Sequence, residues 1–429
     1  MKYHQIPSSL FIKNRDKLSK RMKSNSLAVL NSNDIMPTNA DGTMLFRQNN
    51  DLFYLSGVDQ EESILVIFPD APQAKHREIL FLKETSEEIA IWEGEKLSKP
   101  RATEVSGIET IYWLQDFDKV FRTLVYEAEN IYLNDNEHLR AVVKVETADA
   151  RFRKECMEDF PLHNYERLAP IMHDLRAIKE EEEVALMQTA CDITAKGVDR
   201  ILKFIKPGVM EYEIEAELMH EFLRNRSKGF AYSPIIASGF NACVLHYIEN
   251  NQEVKDGDVI LMDFGAEYAN YASDLTRSIP ANGKFTERQK EVYTAVLNVM
   301  KGAMNILRPG ITLSDYHAQV GKMMEAELLN LGLITAEDVA NEDPEWPAYK
   351  KYFMHGTSHY IGLDVHDVGS WTKPISAGNV FTVEPGIYIR EENLGIRLEN
   401  NILITEDGFV DLMKDIPLEI DEIEAAMNA

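Results

Sequence analysis

The sequence predicts an α/β chain of mixed α+β character in two domains, the second of them internally duplicated. Three observations carry this expectation. At 429 residues the chain exceeds what one hydrophobic core usually organises. Short apolar runs bounded by polar or proline-containing turns fill the first third, as buried strands do. Toward the C-terminus a pair of helical patterns joined by a Pro-Gly turn occurs twice, each time followed by strands that carry carboxylates.

Composition limits the function classes. Apolar content of 45% and charged content of 27% are ordinary for a globular protein. The chain has 45 basic and 71 acidic residues, a net charge of −26. Such a field repels phosphate, so neither nucleic acid nor a membrane surface is an expected partner. No run approaches the ~18 apolar residues of a membrane span. The N-terminus from Met1 to Lys20 lacks the uninterrupted apolar core of a secretory signal. Cys156, Cys191 and Cys243 stand far apart, without metal-like spacing. A reducing cytoplasm is the expected location.

Residues 1–165 read as the first domain. Ser26 to Asn31, Ile64 to Phe68 and Ile79 to Leu82 are its expected strands. Between the first two, Phe46 to Gly57 reads as a polar knot followed by an aromatic strand. Residues 166–429 form the second domain. A long helix is expected from Lys179 to Ile205, because Leu186, Met187, Ala190, Ile193, Val198, Ile201, Leu202 and Ile205 recur mostly at spacings of three and four. Glu180 to Glu183 in its first turn suit the helix dipole. Lys206-Pro207-Gly208 ends it, and a second helix runs to about Arg224. A last helix is expected from Glu419 to Ala429.

Lys203-Phe204-Ile205-Lys206-Pro207-Gly208-Val209 has an echo in Asn305-Ile306-Leu307-Arg308-Pro309-Gly310-Ile311. Downstream of each lies a hydrophobic strand with a carboxylate two residues before a glycine. These are Val259 to Gly265, with Asp263, and Val380 to Gly386, with Glu384. Each strand turns and returns with a second carboxylate, Asp274 in one copy and Glu399 in the other. If Asp263 faces Asp274, that hairpin turns between Tyr268 and Ala269; if Glu384 faces Glu399, the other turns at Glu391-Glu392. Two such hairpins related by a pseudo-twofold axis would aim both pairs at one point.

Between these hairpins runs Met354 to Gly369, Met-His-Gly-Thr-Ser-His-Tyr-Ile-Gly-Leu-Asp-Val-His-Asp-Val-Gly, which holds three of the eleven histidines. Acidic groups among Val, Ile, Leu and Met are costly to bury unless paired or bound to a cation. Four at one place cannot all stay ionised alone. Two divalent metal ions remove the conflict; carboxylate oxygens with one imidazole suit Mn²⁺ first, with Co²⁺, Fe²⁺ or Zn²⁺ as alternatives. Two such ions hold a bridging hydroxide at neutral pH and polarise a carbonyl, which is hydrolytic chemistry.

The set Asp263, Asp274, His359, Glu384 and Glu399 resembles the dinuclear centre of the creatinase/methionine-aminopeptidase ("pita-bread") superfamily. Within it the Met354–Gly369 stretch is most similar to aminopeptidase P. The resemblance extends over nearly the whole chain, through Arg47 to Gly57, Val244 to Asn250, Thr382-Val383-Glu384-Pro385-Gly386 and Gly395-Ile396-Arg397-Leu398-Glu399. It implies an N-terminal creatinase-like α/β domain and a C-terminal pita-bread metallopeptidase domain. It implies that Asp263 chelates one metal, that Asp274 and Glu399 bridge both, and that His359 and Glu384 complete the other. Glu384 would also take the proton of the attacking water. His246, His355 and His366 match histidines that contact substrate and the developing oxyanion. Tyr232 matches a tyrosine near the metals, and Arg397 an arginine supporting the site. Asp41 and Trp92 match positions tied to a proton relay and to a neighbouring subunit's pocket, in a homodimer or homotetramer. Where relatives carry Trp-Arg-Pro, this chain reads Leu168-Ala169-Pro170; Arg167 and Arg176 are the arginines nearest that gap.

The activity implied is removal of the N-terminal residue from peptides with proline second. A prolidase, which cuts Xaa-Pro dipeptides, is the alternative. A dipeptidase must hold a free carboxylate, typically with arginine, and Gly369 to Val380 is short and contains Lys373 but no arginine. A peptide-binding module that has lost its metals is disfavoured, because all five ligand positions are filled.

Overall fold

The computed structural model describes residues 2–429. The chain forms two compact units, 3–176 and 177–429. The first is built on a six-stranded sheet in the order Thr110–Trp113, Glu78–Leu82, Ser63–Ile67, Ser26–Asn31, Asn130–Leu133, Asn164–Arg167. The three strands that the sequence marks are its centre, paired antiparallel, and parallel strands flank them on both sides. Every residue of Ser26–Asn31 is buried, which explains why its sequence shows a continuous apolar run rather than alternation. The last strand pairs with Asn130–Leu133, so this unit continues past residue 165 to Arg176.

The expected aromatic strand before Gly57 is instead a helix, Asn50–Ser56. The Asn49 side chain accepts the Asp51 and Leu52 N–H groups, and Gly57 closes the helix at φ +68°. Leu52 to Ser56 are all buried. A helix covered on every side and a buried strand give the same unbroken apolar pattern, and here the cap decides.

In the second unit the long helix is Glu181–Phe204, started by a capping box between Glu180 and Glu183. Glu211–Arg224 follows. The helices Glu287–Ile306 and Leu313–Asn330 repeat the arrangement. Each helix pair precedes a three-stranded antiparallel sheet: Ile235–Ser238, Val259–Phe264 and Leu275–Pro280 in one copy, Val380–Val383, Asn400–Ile404 and Phe409–Asp411 in the other. Ile420–Met427 is the C-terminal helix. Among the described residues no helix is long and apolar enough to cross a membrane.

Register places the carboxylates. In the second hairpin Val380 pairs with Leu403 and Gly386 with Arg397; continued through the break between these ladders, that register sets Glu384 opposite Glu399. The turn falls at Arg390–Glu392, as the sequence predicts. In the first hairpin Asp263 pairs with Thr276, not Asp274. Tyr268 pairs with Tyr271, so the turn is Ala269-Asn270, one position later than expected, with both residues at positive φ. Asp263 and Asp274 are therefore diagonal neighbours two residues apart in register, still on one face. Gly265 occupies the position opposite Asp274, where a Cβ would lie 1.8 Å from the Ser273 carbonyl oxygen. No side chain fits there, and the carboxylate stands one pleat away.

Candidate metal centre and active site

An isolated bridge between Thr276 and Glu399 joins the two hairpins, with the Glu399 N–H donating to the Thr276 carbonyl at 3.1 Å. This contact brings their carboxylates together. Ligand atoms of Asp274, His359 and Glu399, all buried, lie within 4.8 Å of one another. His359 Nε2 is 3.5 Å from Asp274 Oδ2 and 3.5 Å from Glu384 Oε1. Its Nδ1 lies 2.9 Å from the Tyr360 carbonyl, so Nδ1 carries the hydrogen and the Nε2 lone pair faces the carboxylates, the tautomer a metal requires. Asp263 Oδ2 accepts from Arg397 Nη2 at 2.5 Å, and its Oδ1 from the Tyr232 hydroxyl at 2.6 Å. The same hydroxyl also contacts Asp274 Oδ1.

Burial, then the Asp263 charge, pushes the Asp274 carboxyl well above its usual range. Burial and the Asp274 charge do the same to Glu399, against the hydroxyl of Thr276 at 2.7 Å. Glu384 is raised by burial and by Glu399, with Arg397 opposing. One tyrosine hydrogen between two carboxylates, and three carboxyls driven toward protonation, describe a site short of positive charge. Hard oxygen donors with a single imidazole are the donor set of a divalent metal, and these residues fit one.

Around this set Arg397 Nη1 donates to the Tyr388 hydroxyl at 2.9 Å, and Tyr388 is 2.7 Å from His355 Nε2. His355 Nδ1 lies 2.8 Å from the Gly356 carbonyl. The hydroxyl accepts from the guanidinium and donates to Nε2, which keeps His355 neutral. Burial, then the nearby Arg397 charge, pushes its pKa down to about 3. Its Nδ1 is 3.8 Å from Glu384 Oε2. The His366 ring stands edge-on to His359 with centroids 4.3 Å apart. His246 lies on the exposed side of the segment after Cys243. Asp41 and Trp92 belong to the first unit, where both are exposed, Trp92 to 81%. Leu168 and Ala169 are buried. Arg176 is committed to Asp51 at 2.9 Å, and Arg167 pairs with Glu137.

Sequence reasoning passes over four residues. Tyr388 links Arg397 to His355. Thr276 joins Glu399 to Arg397 Nε, 3.2 Å away. Asn401 holds the backbone of Asp274 at 3.0 and 2.8 Å. The Thr382 hydroxyl accepts the His359 N–H at 3.2 Å. Each lies two or four positions from a predicted residue on the same chain segment, so the period-two rule would have found them.

Residues 185–406 match metallopeptidase family M24, so fold and site define an M24 metallopeptidase. Residues 11–132 match the aminopeptidase P, N-terminal domain. The chain is 33% identical to the Xaa-Pro aminopeptidase of Escherichia coli, covering 99% of each, and 33% identical to that of Haemophilus influenzae, covering 99% and 98%. Among solved structures, a putative aminopeptidase P from Bacillus anthracis superposes with TM-score 0.91 at 32% identity, over 99% of each chain. An Escherichia coli aminopeptidase P in complex with substrate gives 0.88 at 32% identity, again over 99% of each chain. The chain belongs to the aminopeptidase P family.

Proposed function

We propose that this protein is an Xaa-Pro aminopeptidase, releasing the N-terminal residue from peptides with proline second. The observation that carries this is similarity along the whole length to Xaa-Pro aminopeptidases, in both domains, and it is supported by the buried group of Asp274, His359 and Glu399. Asp263, Asp274, His359, Glu384 and Glu399 would hold two divalent ions, Mn²⁺ first among them. When bound, such ions lower the pKa of water and polarise the scissile carbonyl.

The chain's own groups do the rest. Glu384 takes the proton of the attacking water and passes it to the departing proline nitrogen. That nitrogen belongs to a tertiary amide with no N–H, and like any amide nitrogen it leaves only once a held group has given it a proton. His246 and His366 contact the peptide and the oxygen on which charge develops. His355 is held neutral beside Glu384 and, through Tyr388, in line with Arg397. Arg397 neutralises Asp263 without entering the ligand set. In a homodimer or homotetramer, the exposed Trp92 and Asp41 would complete a neighbour's pocket and proton path. The cytoplasm is the proposed compartment.

Mn²⁺-loaded protein should cleave Xaa-Pro-Xaa tripeptides faster than the matching Xaa-Pro dipeptides, and the Asp274→Ala variant should cleave neither. Preference for the dipeptide would make the protein a prolidase and would refute the inference drawn from the arginine-free Gly369–Val380 segment.

A further inference from the structure

Glu211 begins the helix Glu211–Arg224 and is wholly buried. Its Oε1 accepts from the Ser238 N–H at 2.8 Å and the Ser238 hydroxyl at 2.7 Å. Its Oε2 accepts from the Tyr247 hydroxyl at 2.8 Å and the Gln252 N–H at 2.9 Å. A buried carboxylate is costly unless its oxygens are filled; four donors and the positive end of the helix meet that cost here. Glu215, one turn on, accepts from Asn250 Nδ2 at 3.0 Å, and Asn250 Oδ1 accepts the Ile236 N–H at 2.9 Å. The first two turns of this helix thus grip both ends of residues 239–251, the segment that carries His246.

Between these grips the segment is fitted closely to the wall of the site. A Cβ at Gly395 would lie 2.2 Å from the Ala242 carbonyl oxygen. Ala242, Cys243, Leu245 and Tyr247 pack in one apolar cluster with Tyr388 and Met354, the first bonded to His355 and the second preceding it. The Tyr247 N–H donates to the Val244 carbonyl at 3.2 Å, closing a turn. Within that turn Leu245 and Tyr247 are partly buried, while Val244, His246 and Ile248 are exposed. His246 therefore projects outward between two anchors, and the second anchor, Tyr247, is tied to Glu211.

We propose that Glu211 is a positioning residue for substrate binding: by holding Tyr247, Ser238 and Gln252 it fixes the turn that presents His246 to the peptide. It acts through His246 and touches no substrate itself. The inference rests on the reading of His246 as a substrate contact.

Glu211→Gln is the direct test, because an amide offers one accepting end and turns a donor toward either the Ser238 or the Gln252 N–H. In the Mn²⁺-loaded enzyme, KM for an Xaa-Pro-Xaa tripeptide should rise about tenfold, the effect of one unsatisfied buried donor. kcat should change less, and Mn²⁺ affinity by calorimetry should be unchanged. Tyr247→Phe removes one bond of the four and should raise KM by a smaller factor in a folded protein. In a His246→Ala background Glu211→Gln should add nothing to KM, since residues acting through one contact are not additive. Unchanged KM in both single variants, a full multiplicative effect in the His246→Ala background, or loss of Mn²⁺ affinity in step with KM would overturn the proposal. A His246→Ala variant with wild-type KM would instead remove the reading of His246, and the proposal with it.

Discussion

The two hairpins of the catalytic domain are copies in plan and differ in how they seat their carboxylates. In the second, Glu384 and Glu399 sit opposite each other at the break between two ladders. In the first, Asp274 sits at the corresponding break, but its partner position is Gly265, closed by the Ser273 carbonyl. The first hairpin therefore supplies its other carboxylate from Asp263, inside a continuous strand, where Arg397 neutralises it and the Tyr232 hydroxyl donates to it. Among the described residues Glu384 has no such cation at hydrogen-bond distance, and it faces His355. The difference fits the separate roles proposed for them: the crowded hairpin would hold a fixed ligand, and the open one would leave a carboxylate able to handle a proton.

The largest effect should come from the bridge where the hairpins meet. Glu399→Ala should lower peptide hydrolysis by more than the ~10–100-fold that supporting groups cost, in a protein whose circular dichroism is unchanged. Next comes the closed position. Gly265→Ala should destabilise the fold by about 3 kcal/mol or more, the upper end of overpacking costs, because the obstacle a Cβ meets is backbone. Thermal unfolding would measure it, and a stable Gly265→Ala protein would contradict the steric reason for the position of Asp263.

The pH response of the metal-free protein sharpens the comparison further. Asp274, Glu384 and Glu399 are all raised by burial and by neighbouring carboxylates. Folded carboxyls raised above their unfolded values favour the folded state fully below the unfolded pKa, and that contribution is lost as pH rises through the folded values. The metal-free fold should therefore lose stability as pH climbs above the ordinary carboxylate range. Mn²⁺ should reverse the trend, and its binding should release protons, visible by calorimetry in buffers of different ionisation enthalpy. The smallest effect lies at the first turn. Ala269 sits at φ +53°, a conformation that costs an L side chain about 1–2 kcal/mol, so Ala269→Gly should stabilise the protein by roughly 0.5–1 kcal/mol once the entropy of glycine is counted.

Much of this is legible in the sequence because strands impose a period of two. Asp263, Asp274, Glu384 and Glu399 stand out as charges in apolar runs, and the Glu384–Glu399 turn follows from assuming that they face each other. The same assumption misses the first turn by one residue, since nothing in the sequence says that Gly265 cannot carry a side chain; that fact is made by the Ser273 carbonyl folding over it. Thr276, Tyr388, Thr382 and Asn401 escape notice because uncharged polar residues in a strand stand out only when counted, two or four positions away, from a charged residue whose face is already fixed. The helix Asn50–Ser56 reads as a strand because burial on all sides erases periodicity. The domain boundary lies at Arg176 rather than residue 165 because Asn164–Arg167 adds an edge strand whose composition is polar.

That both hairpins build one metal centre is tested most directly by counting Mn²⁺ ions bound per chain. Calorimetry with metal analysis would be run on the wild type and on Asp274→Ala and Glu399→Ala. Two ions are expected in the wild type, with the affinity for both lowered in either variant, if each residue serves both ions as proposed. Two independent sites, with each variant losing one ion and holding the other at unchanged affinity, would contradict a shared centre.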